Sequence, residues 1–291
     1  MKNHFSKRLL AFFIAICFIF GQSNLPAGLF HLNLDGILET KAAETFNEKL
    51  TVYNIIGGET AFDVTFTFTI NGANTVALTA VVSSEMTNVG SYRLDIPQTV
   101  THGGTTYTIT AIGHENYTGS GDVLSGLTKL EEVSIPSTVT TIYPQSFAND
   151  SALKKVTFIE SAENDTSQLT TIGYGAFQGC FAVAPTGTSS NVELLLPARL
   201  TSIGASAFQD CSYLAKVTVN TNNNSPSTFT VGESAFKNDT NLATVELPNY
   251  TTTIGKECFK TCRNLLNCNL PSQLTAIEDS TFEGCTNLWK E

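Results

Sequence analysis

The chain contains only four histidines, and none lies beyond His114 in its 291 residues. A serine or cysteine nucleophile usually needs a histidine as its general base, so no such catalytic set can form in the rest of the chain. Zinc is also disfavoured, because the cysteines of "CFKTCRNLLNC" lack the usual ligand pairing and have no histidine partner. No glycine-rich phosphate loop is present. The sequence therefore predicts a protein that is not an enzyme and that binds no cofactor or metal.

Charge is also scarce, since charged residues make up 14% of the chain. Acidic residues outnumber basic ones by 26 to 16, which gives a formal net charge of −10. A surface of this sign repels phosphate backbones and anionic lipids, so nucleic acid and membrane surfaces are not expected as partners. By contrast, 42% of the residues are hydrophobic, which is enough to bury a core.

One long apolar run is present, and it lies at the amino terminus. Basic residues precede "LLAFFIAICFIF", which is too short to span a bilayer. This arrangement is typical of a secretory signal, cleaved after Ser23 or as late as Ala42. Cys17 follows an isoleucine rather than a small residue, which disfavours a lipoprotein anchor. The mature chain is therefore expected to be secreted or at the cell surface, without a membrane span.

Much of the remaining chain repeats one phrase, seen in "TTIGYGAFQGC", "TSIGASAFQDC" and "TTIGKECFKTC". The last three repeats are 23 residues apart, and the larger gaps elsewhere contain polar insertions such as "ESAENDTSQ". Six residues after each phenylalanine comes a leucine, or Val183 in one repeat, which opens an L-x-x-V-x-L pattern. A fixed period of this length predicts a solenoid with one coil per repeat. The repeat phenylalanines are Phe147, Phe177, Phe208, Phe236, Phe259 and Phe282.

Each L-x-x-V-x-L segment is predicted to form a short strand whose valine and final leucine point inward. Successive coils would stack these strands into a parallel sheet on the concave side. The I-G-x-x-A-F phrases would form the opposite wall, with each isoleucine, including Ile277 of the last repeat, filling the interior. The glycine after the isoleucine suits a turn with positive φ or a close backbone approach. The sequence thus predicts a β-rich solenoid.

This pattern resembles the BspA-type leucine-rich-repeat family of exported bacterial and protozoan surface proteins. The resemblance is carried by "IPSTVTTIYPQSF", "LPARLTSIGASAFQDC" and "LPSQLTAIEDSTFEGC", and good repeats run from about Ile135 to Leu288. It implies a leucine-rich-repeat solenoid with short parallel strands on its concave face. It also implies adhesion to host extracellular-matrix or cell-surface proteins. The motif is far more specific for the fold than for a function.

The chain is expected to comprise a signal peptide at 1–23, an N-terminal β cap at 44–90 and BspA-type leucine-rich repeats at 91–291. In the second segment, "AFDVTFTFTI" alternates apolar and polar residues and is followed by Asn71-Gly72, which predicts a β-hairpin. Such a hairpin can cover the apolar cross-section at a solenoid end, and a separate binding module is the alternative. A smaller hairpin is expected around Gly103-Gly104.

Seven cysteines in an exported chain would ordinarily suggest disulfides. Here their positions follow the repeat, because one shared slot, three residues after the phenylalanine, holds Asp150 or Asp239 in other coils. Cys258 and Cys268 fall on interior positions. We therefore expect free, buried thiols, with pairing between stacked coils as the alternative. The cysteines of the shared slot are Cys180, Cys211, Cys262 and Cys285.

Candidate ligand contacts are the outward positions of the predicted strands, which can vary without harming the core. The fold and the resemblance favour a protein ligand, and the alternative is a structural envelope component with no dedicated ligand. The outward residues are Glu131, Glu132, Ser134, Lys154, Lys155, Thr157, Ala215, Lys216, Thr218, Thr244, Glu246, Asn267 and Asn269.

The final repeat breaks off in "EGCTNLWKE", where Glu291 falls in the slot for valine. An uncovered last coil would expose an apolar cross-section and an unpaired strand edge. We expect either that the natural protein continues past Glu291 or that this edge associates with a second copy, with Trp289 at the contact.

Overall fold

The computed structural model of the chain describes residues 43–55, 60–86, 90–115, 124–159, 167–183, 191–222 and 225–288. These residues belong to one of the two compact units of the chain, Ala43–Glu291. The expected signal segment and Trp289 therefore lie outside the described residues.

The described part begins with an antiparallel meander of three strands. The first strand pairs with the second along nearly its whole length, and the second pairs with the third. Val64, Phe66 and Phe68 point to the core and are at most 1% exposed, while the threonines between them are more exposed, which confirms the predicted alternation. The strands are β1 Thr45–Asn54, β2 Ala61–Ile70 and β3 Thr75–Val81.

A short linking region leads into the repeats. A single-turn 3-10 helix at Ser83–Met86 is followed by one strand and by a tight hairpin. The hairpin turn residues Gly103 and Gly104 have φ of 56° and 82°. Two consecutive positive φ values suit glycine, and they confirm the predicted hairpin. The strands of this region are β4 Tyr92–Asp95, β5 Thr99–His102 and β6 Thr105–Ile112.

In the described ranges eleven further strands alternate between two walls of the solenoid, and most neighbours within a wall pair in parallel. The leucine wall, built by L-x-x-V-x-L segments, contains β4 together with β7 Leu130–Ile135, β9 Lys155–Phe158, β11 Val192–Leu196, β13 Leu214–Val219, β15 Thr244–Glu246 and β17 Asn267–Cys268. The isoleucine wall, built by I-G phrases, contains β6 together with β8 Thr141–Ile142, β10 Thr171–Ile172, β12 Ser202–Ile203, β14 Phe229–Val231 and β16 Thr251–Ile254.

The meander joins the isoleucine wall and the first strands of the leucine wall into one continuous sheet. β3 pairs in parallel with β6 of the isoleucine wall, and β1 pairs antiparallel with β4 of the leucine wall. The resulting order is β16-β14-β12-β10-β8-β6-β3-β2-β1-β4-β7-β9, while β11, β13, β15 and β17 form a second sheet along the leucine wall. The meander thus covers the first coil, and the fold is the predicted leucine-rich-repeat solenoid with an N-terminal β cap.

A bulge in the leucine wall accommodates the spacing of the L-x-x-V pattern. Side chains of a regular strand alternate between faces, so residues three apart would point in opposite directions. In β13 the pairing with β11 passes from Leu214 directly to Lys216, which leaves Ala215 as an extra, unpaired residue. The pairing of β4 with β7 passes over Glu131 in the same way. The bulge lets both Leu214 and Val217 face the core, where each is 0% exposed.

A third connection between coils runs through the turn that contains the repeat phenylalanine. In the coil of Phe208, the N–H groups of Ser206, Phe208 and Asp210 each donate to a carbonyl of the next coil at 2.8 to 2.9 Å. The outer two of these residues have positive φ, at 54° for Ser206 and 64° for Asp210. Positive φ at the equivalent positions recurs from coil to coil, so this turn is a regular element of the repeat.

The phenylalanines of successive coils form a stacked column through the core. Neighbouring ring centroids lie 5.0 to 5.5 Å apart, and neighbouring ring planes are within 14° of parallel. The rings from Phe147 to Phe259 are at most 1% exposed, whereas Phe282 is only partly buried. The column confirms that these phenylalanines occupy equivalent positions.

Two coils differ from the predicted register. Val183, expected in a leucine slot, is 49% exposed, and Val192 occupies that slot by pairing with Leu214. In other coils the N–H of the phenylalanine donates to the carbonyl of the residue just before the next phenylalanine. In the first coil the N–H of Leu124 donates to the carbonyl of Ser146, which precedes Phe147, so Leu124 occupies the phenylalanine slot. A fixed count from the phenylalanine misses both positions because extra residues precede Val192 and Leu124 within their coils.

The last described coil also departs from the prediction. Ile277 is 56% exposed, although the equivalent Ile203 and Ile254 are 1% exposed. Each of those earlier isoleucines is covered by the following coil. Among the described residues no coil follows Ile277, so its side chain lies at the surface.

The glycine after the isoleucine shows the expected close backbone approach. A Cβ on Gly204 would lie 2.6 Å from the carbonyl carbon of Gly173, and a Cβ on Gly232 would lie 2.4 Å from the nitrogen of Ala205. These distances are well inside van der Waals contact, so the absence of a side chain sets how closely the coils stack.

Candidate functional site

The outer face of the leucine wall presents two columns of side chains. In each strand, one outward residue precedes the inward residue of the valine slot and the other follows it. The first column is Arg93, Glu132, Lys155, Glu193, Lys216, Thr244 and Asn267, and the second is Asp95, Ser134, Thr157, Leu195, Thr218, Glu246 and Asn269.

Three of the predicted ligand contacts lie outside these columns. Glu131 and Ala215 are bulge residues, and Lys154 occupies the equivalent position just before β9. Ala215 is only 7% exposed, so it does not face outward as predicted. The bulge is the cause, because it removes this residue from the inward–outward alternation on which the prediction was based. The other predicted contacts belong to the two columns.

Several charged residues of the leucine wall pair with one another between neighbouring strands. Lys154 Nζ lies 2.9 Å from Glu131 Oε2, and Lys216 Nζ lies 3.0 Å from Glu246 Oε1. Thr218 Oγ1 also donates to Glu246 at 2.8 Å. The hydrogen bonds from Lys216 and Thr218 lower the pKa of Glu246. Because opposite charges are matched here, these pairs offer little net charge to attract a charged ligand.

Sequence reasoning missed Arg93, Asp95, Glu193 and Leu195. Arg93 Nε lies 3.0 Å from Asp95 Oδ2, and Asp95 Oδ1 accepts a hydrogen bond from Ser134 Oγ at 2.7 Å. β4 was not predicted as a strand of the leucine wall because its sequence lacks the L-x-x-V-x-L pattern. Glu193 and Leu195 could have been found, because they flank Leu194, whose inward position the repeat predicts.

A groove of about 370 Å³ opens at the carboxyl ends of β13, β15 and β17. Its lining is mainly hydroxyl, amide and carboxylate groups, with Pro248 as one of the apolar members. The polar side chains include Thr218, Glu246 and Asn269 of the second column, together with Asn220, Thr221 and Asn249. The groove therefore combines predicted contact residues with loop residues that follow the strands.

Asn269 is held in place at the edge of this groove. Its Oδ1 accepts a hydrogen bond from the N–H of Leu247 at 2.8 Å, and its Nδ2 donates to the carbonyl of Leu247 at 2.7 Å. The side-chain amide thus satisfies both backbone groups of Leu247. This pairing makes Asn269 a structural part of the groove edge.

Leu195 places an apolar surface beside the groove. Its side chain is 57% exposed on the outer face of β11. It lines a smaller cavity of about 30 Å³ with Phe158, Ser167, Leu196, Pro197 and Asn220. Asn220 lines both this cavity and the groove, so the two are adjacent. A polar recess and an exposed leucine therefore lie next to each other on the leucine wall.

The shared slot after the phenylalanine holds hydrogen-bonded thiols. Cys180, Cys211, Cys262 and Cys285 are free and at most 2% exposed, as predicted. Each Sγ donates to the carbonyl of the phenylalanine in the preceding coil, at 2.9 to 3.2 Å. Burial raises the pKa of these thiols, to about 11 for Cys285. Because the thiolate is the nucleophilic form, buried thiols of this kind are unreactive.

Across the described ranges, no group of three or more histidine, cysteine, aspartate or glutamate side chains is arranged to hold a metal ion. His102 has a structural environment, since it stacks on Phe46 at 4.3 Å and its Nδ1 lies 2.8 Å from Glu48 Oε1.

A family model for BspA type leucine-rich repeat regions matches residues 122–229 and 186–290, in six copies. Together these matches run from residue 122 to residue 290, which is more than half of the 291-residue chain. The chain belongs to the BspA-type leucine-rich-repeat family. No curated protein matches it.

Solved structures show the same fold in other leucine-rich-repeat proteins. A leucine-rich repeat protein from Bacteroides ovatus ATCC 8483 is 29% identical, with a TM-score of 0.58, and the match covers 77% of this chain. The match covers 50% of that protein, so this BspA-type chain spans about half its length. The T. pallidum leucine-rich repeat protein TpLRR is 22% identical with a TM-score of 0.58, over 77% of this chain and 88% of its own.

The isoleucine wall of this BspA-type solenoid presents a different surface. Its outward column consists of small hydroxyl side chains in register, Thr141, Thr171, Ser202, Thr230 and Thr253. The leucine wall therefore has a grooved surface, whereas the isoleucine wall has a uniform one. None of the described segments forms a helix with the length and apolar character needed to cross a membrane.

Proposed function

We propose that this chain is an exported protein-binding protein, secreted or held at the cell surface, that contacts its ligand through the outer face of the leucine wall. Membership of the BspA-type family supports an interaction role, because a repeat solenoid presents variable outward residues on a rigid frame. The groove carries the proposal, because a concave polar surface there adjoins the exposed side chain of Leu195.

An extended segment of a protein ligand suits this surface. Asn220, Thr221 and Asn249 supply amide and hydroxyl groups that can bond a peptide backbone, and Leu195 supplies an apolar contact. The matched ion pairs of the wall disfavour a strongly charged ligand. The family resemblance suggests host extracellular-matrix or cell-surface proteins as the ligand class.

The test is a surface-binding screen of the purified mature chain against fibronectin, fibrinogen and other matrix proteins. We expect selective binding to at least one of them. Leu195→Asp should weaken that binding at least about tenfold, since it places a charge in a desolvated contact. Thr171→Arg on the isoleucine wall is the matched control and should bind like the wild type.

Two outcomes of this screen would contradict the proposal. Equal weakening by Thr171→Arg would mean that the leucine wall is not the contact surface. No selective binding at all would instead favour a structural envelope component without a dedicated ligand.

We propose further that the protein is not an enzyme. This is supported by the raised pKa of its buried thiols, because the thiolate is the nucleophilic form of cysteine. A hydrolytic activity that co-purifies with the folded chain through successive columns would overturn it.

The last described coil supports a second kind of contact, between copies of the chain. Leu270 and Ile277 are 58% and 56% exposed, whereas the equivalent Leu247 and Ile254 are 4% and 1% exposed. We propose that this surface, together with Trp289, associates with a second copy. Sedimentation should show self-association at micromolar concentration for the wild type and a monomer for Ile277→Lys and Trp289→Lys. A wild type that stays monomeric throughout that range would refute the contact.

A further inference from the structure

Two coils place a carboxyl group in the buried slot that other coils fill with a thiol. Asp150 and Asp239 are both 0% exposed. Oδ1 of Asp150 accepts a hydrogen bond from the N–H of Leu127, and Oδ1 of Asp239 accepts one from the N–H of Cys211, each at 2.7 Å. In neither aspartate does Oδ2 have a hydrogen-bond partner among the described residues.

These contacts deprive a neighbouring carbonyl of its usual donors. Where a thiol fills the slot, the phenylalanine carbonyl of the preceding coil has two donors, as Phe177 has from the N–H of Cys180 and from Cys211 Sγ. The carbonyl of Phe208 has neither, because the N–H of Cys211 is bonded to Asp239. Within the described ranges no other group donates to the Phe208 oxygen.

The coil before Asp150 repeats this arrangement independently. Leu124 occupies the phenylalanine slot there, and the N–H three residues later, that of Leu127, is bonded to Asp150 Oδ1. No donor to the Leu124 carbonyl is found in the described part of the chain. Each aspartate is therefore associated with one unpartnered carboxyl oxygen and one unpartnered carbonyl oxygen.

A proton on Oδ2 would turn this unpartnered oxygen into a donor for the unpartnered carbonyl. Thiols in this slot reach the preceding carbonyl at 2.9 to 3.2 Å, so the slot directs its side chain toward that atom. An ionised carboxylate has only acceptors and would oppose one oxygen with another, whereas a protonated carboxyl group has one O–H donor. The geometry of the slot thus favours the protonated form.

The surroundings of both aspartates favour the same form. The titratable groups that face Asp239 are Cys211, Cys258, Cys262 and Asp210, and those that face Asp150 are Tyr92 and Cys180. None of these groups carries a positive charge. Burial raises the pKa of both carboxyl groups well above its ordinary value, which outweighs the opposing effect of the backbone hydrogen bonds.

We propose that Asp150 and Asp239 are neutral carboxylic acids in the folded protein at neutral pH, and that each donates a hydrogen bond from Oδ2 to the preceding coil. Each would replace a cysteine thiol as a link between coils. The carboxyl group loses this link when it ionises, because a carboxylate has no proton to donate. The solenoid then contains two pH-sensitive contacts in its core.

The direction of the pH effect follows from the two states. The pKa of an aspartate in the unfolded chain is about 3.9, and the pKa in the folded state lies above this value. The folded state therefore retains a proton that the unfolded state has lost, so the stabilisation is complete below the unfolded pKa and is lost as pH rises through the folded pKa. Between the unfolded and the folded pKa, the folding equilibrium constant falls by up to about tenfold per pH unit for each aspartate.

Urea unfolding at several values between about pH 5 and about pH 9 tests the proposal. Asparagine keeps the Oδ1 acceptor and supplies an N–H donor at every pH, so Asp239→Asn and Asp150→Asn should each reduce the loss of stability with rising pH. The double variant should remove most of it. Asp279→Asn is the control, because Asp279 is exposed and is not among the groups that face either buried aspartate, so the wild-type pH dependence should be largely unchanged.

An equal pH dependence of the wild type and the double variant would overturn the proposal. If the asparagine variants do not fold, Asp239→Cys restores the residue that other coils use and should show the same reduced pH dependence. Infrared spectroscopy gives a second readout, because a protonated carboxyl group has its own carbonyl stretch. Its absence from the folded wild type at neutral pH would also overturn the proposal.

Discussion

Truncation of Phe208 to alanine tests how much the stacked column of phenylalanines contributes to stability. The Phe208 ring is 0% exposed, and its centroid lies 5.3 Å from the rings of both Phe177 and Phe236. Removal of a buried phenylalanine ring costs about 3–5 kcal/mol through lost burial and the cavity left behind. Each stacked pair contributes about 0.5–1.5 kcal/mol beyond burial, so we expect a loss near the upper end of that range.

Denaturant unfolding followed by circular dichroism measures this loss, and Phe282→Ala is the matched control. Phe282 is partly buried and stacks on Phe259 at 5.5 Å as its one described ring partner. Its truncation should therefore cost clearly less than that of Phe208. A loss of stability below about 1 kcal/mol for Phe208→Ala would refute the stacked column, because truncation of a fully buried phenylalanine costs more than this.

Two further predictions concern the contacts between coils. A thiol reagent should leave Cys180, Cys211 and Cys262 unlabelled in the native protein and label them all in denaturant without reductant; persistent protection in denaturant would instead indicate disulfides. Gly204→Ala should destabilise by about 1–3 kcal/mol, because its Cβ would overlap the backbone of Gly173. Gly90→Ala, whose φ is not positive and whose Cβ would meet its nearest neighbour at 3.5 Å, should cost less, and an equal loss would argue against close stacking.

The core of each coil was predictable because the repeat fixes which residues point inward. The phenylalanine column, the buried thiols and the alternation of β2 all follow from spacing alone. Val192 and Leu124 were missed because insertions fall between the phrases from which the spacing is counted. Their true slots become visible only from hydrogen bonds between coils.

The outer surface of the leucine wall was less predictable than the core. Ala215 was wrongly predicted to face outward because the prediction assumed a regular alternation along the strand. Only the pairing with β11 reveals the bulge. The ion pair of Lys216 and Glu246 joins residues on separate strands, so the sequence shows their charges but not their mutual neutralisation. The groove likewise depends on loops that follow the strands, including Asn220 and Asn249, for which the repeat pattern makes no prediction.

The role of the leucine wall in ligand binding is tested most directly by photo-crosslinking on intact extracellular matrix. A photoreactive residue at Thr221 lies in the groove, and one at Thr171 lies on the isoleucine wall. We predict a discrete covalent adduct with a matrix protein from position 221 and none from position 171. Equal adducts from both positions, or none from position 221, would contradict the assignment of the leucine wall as the binding surface.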